Sequence, residues 1–148
     1  MSREQRIERL LQVAEERGQD ATRALAHRRR LLDEADGRLS ELLSYREEFA
    51  RGDGPQGPGL AVGLQDYWRF RSRLNTAIAE QRDRIDQQRL AVEQSLERWR
   101  DAQRQVAVLE KVMDRLRAAE QRLRERREQR VLDDRRPPSI GILSTEEG

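Results

Sequence analysis

Residues whose chemistry could serve catalysis or metal binding are scarce in this chain. It has one histidine, His27, and no cysteine, so neither a Cys–His nucleophile pair nor a zinc site of histidine and cysteine can be assembled. The carboxylates alternate with arginines at helical spacing, which is typical of solvated i,i+4 pairs rather than of paired catalytic acids. His27 itself falls on the solvated face of a predicted helix. We therefore expect no enzyme, no metal site and no cofactor.

The aromatic residues offer a different chemistry, that of protein binding, because five of the six flank one short segment. These five are Tyr45, Phe49, Tyr67, Trp68 and Phe70, and only Trp99 lies elsewhere. The segment between them holds four glycines and two prolines from Gly52 to Gly59, which cannot propagate a helix. Those glycines lack a following Lys-Ser/Thr, so a turn is favoured over a phosphate-binding loop.

Two long helices must position these aromatics. Rows of residues seven apart run from Ile7 to Phe49, and ten of their thirteen members are apolar, which predicts a coiled-coil seam. The seam resumes at Leu64, and neither glycine nor proline interrupts it before Arg136. We predict a first helix over 1–51, a Gly/Pro-rich turn over 52–63, a second and longer helix over 64–134, and a disordered tail over 135–148 that contains Pro137 and Pro138.

Composition agrees with a thin fold. With 39% charged and 35% hydrophobic residues there is little apolar surface for a round core, whereas a coiled coil needs only two apolar positions in seven. The formal net charge of +2 argues against disorder, which usually accompanies strong net charge. The predicted fold is all-α, an extended two-helix antiparallel coiled-coil hairpin. We expect a monomer in isolation, and sedimentation would distinguish it from a two-chain coiled coil.

Compartment and partner classes follow from the same features. The N-terminus is charged from its third residue, and no 18-residue apolar run occurs, so we expect neither export by a signal peptide nor insertion into a membrane. The absence of cysteine fits a reducing, intracellular compartment. The basic pI of 9.6 raises nucleic-acid binding as an alternative, but interleaved acidic residues argue against it, because phosphate binding favours a continuous positive face.

Two pairings of the seam remain open. If facing residue numbers add to 113, Ala14 meets Trp99 and small residues face large ones at most layers; if they add to 120, Ala21 meets Trp99 instead. With either pairing we expect the first helix to end near residue 110 of the second, so that Lys111 to Asp133 would project alone with Leu116 and Leu123 unpaired. Such an overhang either frays, as isolated helices do, or binds a partner.

The heptad also assigns Tyr45 and Phe70 to positions of the kind called g, which lie along the same side of an antiparallel pair. Phe49 and Tyr67 belong to the seam and close its end. We therefore expect Tyr45 and Phe70 to form an exposed aromatic patch beside arginine, which is the composition of a binding hot spot.

The residues around the turn resemble a known family. LLSYREEF at 42–49, DYWRFRSRLNTAIAEQ at 66–81 and SLERWRDAQRQVAVLEKVMDR at 95–115 resemble the FliJ family of bacterial flagellar export proteins, and the similarity covers nearly the whole helical region. The Gly/Pro-rich turn and the Pro137-Pro138 tail depart from the family pattern.

The resemblance implies a soluble, non-enzymatic coiled-coil stalk of the flagellar type III export apparatus. Its implied partners are the export ATPase, an export-gate membrane protein and the chaperones of export substrates, and its implied location is the cytoplasm, peripheral to the inner membrane. The equivalent stalk of a virulence injectisome, or a generic coiled-coil scaffold, is the alternative.

The resemblance also implies two binding surfaces. The gate surface would comprise Arg38, Leu42, Tyr45, Phe49, Phe70, Leu74, Ala77 and Gln81. The ATPase surface would lie at the paired termini, with the overhang around Lys111 to Arg130 entering the ATPase ring, and would comprise Ile7, Leu11, Lys111, Arg115, Leu116 and Leu123.

Overall fold

The computed structural model describes residues 1–52 and 63–135 of the chain. These residues form two helices and no strand: α1 (Arg3–Arg51) has 49 residues and α2 (Leu64–Arg135) has 72. The predicted all-α hairpin with a longer second helix is confirmed. The conformations predicted for the turn and for the C-terminal tail concern residues that lie almost entirely outside the described ranges.

Local sequence explains the helix ends. The Ser2 hydroxyl oxygen accepts from the Gln5 backbone N–H at 3.2 Å, and the Gln5 side-chain oxygen accepts from the Ser2 N–H at 3.1 Å. This reciprocal capping box satisfies two donors at the start of α1. The same helix stops at Gly52, whose φ of 74° is a left-handed conformation that favours glycine at a C-terminus. Helix α2 begins after Gly63, whose carbonyl accepts from the Asp66 N–H at 2.9 Å.

The chain divides into two compact units. The turn unit is Glu15–Arg104, and the terminal unit combines Met1–Ala14 with Gln105–Gly148. In each unit a stretch of α1 contacts a stretch of α2. Neither described helix holds an apolar stretch of the length needed to cross a membrane.

The core of the turn unit lies in the predicted seam. Leu25 and Phe49 of α1 are buried, as are Leu74, Ile78 and Ile85 of α2. Two polar seam residues, Gln81 and Ser95, are also buried. Gln81 is satisfied because its side-chain N–H donates to the Ala35 carbonyl at 2.9 Å, so this polar residue ties the two helices together at little desolvation cost.

Polar contacts fix the pairing of the turn unit. The Trp99 indole N–H donates to the Thr22 hydroxyl at 3.1 Å, and that hydroxyl donates to the Gly18 carbonyl at 2.9 Å. The numbers of Trp99 and Thr22 add to 121, close to the 120 pairing. The alternative that placed Trp99 against Ala14 is wrong, because the indole N–H finds a hydrogen-bond acceptor at Thr22 that an alanine side chain does not offer.

The terminal unit corrects the predicted overhang. The Arg117 guanidinium contacts the Glu4 carboxylate at 3.3 Å and the Glu8 carboxylate at 3.6 Å, and Met113 is only 3% exposed. Pairing with α1 therefore extends to Arg117, and the prediction that residues from Lys111 onward project alone with Leu116 unpaired is wrong. Leu116 is half-buried, whereas every residue from Gln121 to Arg135 is exposed.

Candidate protein-binding surfaces

One open groove of the turn unit gathers most of the residues predicted for the gate surface. We call it the g-side groove, because Tyr45 and Phe70, at the g positions of the two helices, stand at its edge. Its volume is ≈ 440 Å³, and it is lined by Arg38, Glu41, Leu42, Tyr45, Phe70, Arg73 and Leu74. The seam residues Leu42 and Leu74 supply its apolar floor. Arg38, Glu41 and Arg73 are exposed and surround that floor with charge, so the groove has an apolar centre and a polar rim, as protein interfaces do.

The aromatic edge of this groove is supported from below. Tyr45 and Phe70 meet edge to face, with ring centroids 5.8 Å apart. Phe70 packs on Phe49 at 4.6 Å, and Phe49 stacks on Tyr67 at 4.9 Å. Phe49 is 7% exposed while Tyr45 is 42% exposed. Such contacts restrict the rings before any partner arrives, so less side-chain entropy is lost when one binds.

The remaining predicted gate residues lie deeper. Phe49 and Gln81 are buried, and Ala77 is half-buried. Their positions follow from the seam, since Phe49 carries the aromatic edge and Gln81 bonds to the Ala35 carbonyl. In this conformation they hold the surface in place rather than present side chains to a partner.

Sequence reasoning missed two residues of the groove, Glu41 and Arg73. Both occupy heptad c positions, which lie on the same side of a helix as g, so the heptad carried the signal. Glu41 contacts Arg38 at 3.4 Å, and both side chains are more than half exposed. An exposed pair of this kind adds little stability and is available to pair with charges of a partner.

The residues predicted to bind the ATPase lie in the terminal unit and differ in their burial. Ile7, Leu11 and Leu116 are half-buried, whereas Lys111 and Arg115 are exposed. Leu123 is 49% exposed and stands in the exposed stretch from Gln121 to Arg135. That stretch carries six arginines against four acidic residues, together with the exposed Val131 and Leu132. An exposed helix that combines aliphatic side chains with arginines is suited to lie against another protein.

Among the described residues, no group of three or more histidine, aspartate and glutamate side chains is arranged to hold a metal ion.

Comparison with known proteins finds related sequences. The sequence profile of the family described as flagellar FliJ protein matches residues 3–136. A relative from Salmonella typhi, named flagellar FliJ protein, is 28% identical over 130 residues, which cover 86% of this chain and 88% of the relative. The profile match includes both helices.

Proposed function

Because the chain belongs to the flagellar FliJ family, and so has a role related to flagellar export, we propose that it is the non-enzymatic coiled-coil stalk of the export apparatus. In this proposal it links the export ATPase to the export-gate membrane protein and assists the export of flagellar subunits and their chaperones. It works in the cytoplasm, held at the inner face of the membrane by its partners. A family whose proteins are flagellar favours this system over a virulence injectisome.

The g-side groove is the observation that supports gate binding most directly. It offers an exposed tyrosine fixed on a buried aromatic support and an apolar floor between charged rims. A hot-spot side chain is often a large aromatic residue that is well packed, and the Tyr45 ring packs edge to face against Phe70.

The terminal unit supports ATPase binding. There the Arg117 contacts hold the N-terminal end of α1 against α2, and the exposed stretch from Gln121 to Arg135 continues beyond them. Isolated helices of this length are marginal in water, so contact with the ATPase would stabilise this stretch.

The gate assignment is tested by Tyr45→Ala, with Leu90→Ala as the matched control. Leu90 is also an exposed hydrophobic residue of the turn unit, and it does not line the groove. Affinity for the cytoplasmic part of the gate protein should fall at least about tenfold for Tyr45→Ala, as expected for a hot-spot side chain, and stay unchanged for the control. Equal affinity of all three proteins would refute the assignment.

The ATPase assignment is tested by Leu123→Ala, again against Leu90→Ala. The two leucines are exposed to a similar extent, 49% and 55%, but lie in different units. Only Leu123→Ala should weaken stimulation of ATP hydrolysis by the chain. If removal of residues 118–148 leaves stimulation intact while the remaining protein is helical, this role is excluded.

A further inference from the structure

A second groove of the turn unit shares only the buried Phe49 with the proposed gate surface. We call it the e-side groove, because it opens along heptad e positions, on the side of the helix pair opposite to g. Its volume is ≈ 650 Å³, and its lining includes Leu43, Arg46, Glu47, Tyr67, Arg71 and Asn75.

Two arginines in this groove occupy seam positions where apolar residues are expected. Arg46 and Arg71 belong to the seams of α1 and α2. The next seam residue of each helix, three positions later, is buried: Phe49 in α1 and Leu74 in α2. Replacing apolar seam residues by charge lowers the stability of a coiled coil. Departures of this kind from the local rule are typical of functional sites.

Neither arginine forms an ion pair with a carboxylate in the part of the chain that the structure describes. Among the described residues, no carboxylate lies within 4.0 Å of either guanidinium. Arg46 reaches only the neutral Asn75 side-chain oxygen, at 3.5 Å. The lining carboxylate, Glu47, already pairs with Arg51 at 2.9 Å. Among its described lining residues the groove thus has two arginines against one carboxylate, with guanidinium N–H donors that have no carboxylate partner there.

An exposed tryptophan borders this charge. Trp68 is 53% exposed, and the Arg71 guanidinium carbon lies 5.2 Å from the centre of its ring. A guanidinium over an aromatic face is held in place while its edge remains able to donate to a carboxylate. Tyr67 supports Trp68 at 5.7 Å and is itself fixed by stacking on Phe49.

We propose that the e-side groove is a docking site for an acidic peptide segment of a partner protein. The carboxylates of that segment pair with Arg46 and Arg71, and an apolar side chain packs against Trp68. Charge complementarity favours this occupant, because two guanidiniums that have no carboxylate partner among the described residues, beside an aromatic face, match a carboxylate followed by an apolar residue. Nucleic acid fits less well, because phosphate binding uses many cationic contacts along a strand.

The experiment selects peptides from a random dodecapeptide library on the full-length chain, with counter-selection on the Arg46→Gln/Arg71→Gln double variant. Glutamine keeps the helix propensity of arginine, and circular dichroism verifies that the variant is folded. The enriched peptides should combine acidic residues with a bulky apolar residue. A synthetic copy of the most enriched peptide is then titrated against single variants.

Arg46→Gln, Arg71→Gln and Trp68→Ala should each weaken this peptide about fivefold, as expected for single charge-assisted or aromatic contacts. Arg82→Gln, an exposed arginine of α2 outside the groove, should leave its affinity unchanged. Tyr45→Ala should also leave the affinity for the peptide unchanged. This result would show that the peptide site is separate from the gate surface, and it does not depend on the gate assignment being correct.

Several results would overturn the proposal. They are a failure to enrich any peptide over counter-selection, enriched peptides without acidic residues, or equal binding to the wild type and the double variant. If a single-stranded oligonucleotide bound more tightly than the selected peptide, and its binding depended on Arg46, the groove would be assigned to nucleic acid instead.

Discussion

Replacing Gln88 by leucine should stabilise the chain against unfolding by about 1–2 kcal/mol. Gln88 lies in the same seam row of α2 as the buried Gln81 and Ser95. Its side-chain carbonyl oxygen is buried and has no hydrogen-bond partner among the described residues. Gln81, one heptad earlier, makes a side-chain hydrogen bond to the Ala35 carbonyl. The two glutamines therefore differ in whether the buried side chain is hydrogen-bonded.

The magnitude follows from the state of that oxygen. A buried acceptor left without a donor costs about 1–3 kcal/mol, and leucine and glutamine have nearly equal helix propensities, so removing the oxygen recovers most of this cost. Because Gln88 is only half-buried, we take the lower part of that range. At about 2–4 °C per kcal/mol for chains of roughly 150 residues, the melting temperature should rise by about 2–8 °C.

Urea and thermal unfolding followed by circular dichroism at 222 nm measure this effect. Gln87→Leu is the matched control, since Gln87 is exposed and the substitution is chemically the same. The control should change stability by less than about 0.5 kcal/mol. If Gln88→Leu were no more stable than Gln87→Leu, or less stable than the wild type, the reasoning on the unsatisfied oxygen would fail.

Three further substitutions test other features of the structure. Gly37→Ala should stabilise α1 by about 0.5–1 kcal/mol, because among the described residues only the local helix backbone lies near the added methyl group and alanine is the better helix former. A lower urea midpoint would count against this. Thr22→Val should cost about 1 kcal/mol by removing the Trp99 hydrogen-bond acceptor and should change Trp99 fluorescence in a Trp68→Phe background, whereas an unchanged spectrum would contradict the contact. Arg117→Gln should cost no more than about 1 kcal/mol, because its ion pairs are exposed, yet it should speed amide exchange at the start of α1; unaltered exchange there would exclude Arg117 as the contact that holds this end.

The fold class was predictable because the heptad pattern persists along both helices and stops at a segment dense in glycine and proline. Because the apolar repeat extends over many heptads, the charged residues Arg28 and Arg46 within it did not change the prediction of a coiled-coil seam. The position of Phe49 in that seam was predicted for the same reason, and it is buried.

The pairing of the helices was not predictable from side-chain size alone. A shift of one heptad returns every residue to an equivalent seam position, so small and large residues can match in both pairings. The Trp99 hydrogen bond distinguishes them, because the indole N–H needs an acceptor and finds one at Thr22. The predicted overhang, which began at Lys111, was too long, because Arg117 pairs with Glu4 of α1.

The candidate surfaces were predictable only in part. The heptad placed Tyr45 and Phe70 on one side, and they are in contact. The heptad pattern did not predict the e-side groove, because Arg46 and Arg71 fall in seam rows where apolar residues are expected. Their position near an exposed tryptophan was the available signal, but the absence of a neutralising carboxylate among the described residues required coordinates.

A three-component capture assay measures whether this chain physically links the export ATPase to the export gate, as we propose. The cytoplasmic part of the gate protein is immobilised, and retention of the ATPase is measured with and without the chain. We expect retention to require the chain, to be lost with either Tyr45→Ala or Leu123→Ala, and to persist with Leu90→Ala. Retention of the ATPase that is independent of the chain, or unaffected by both Tyr45→Ala and Leu123→Ala, would contradict the proposed linking role.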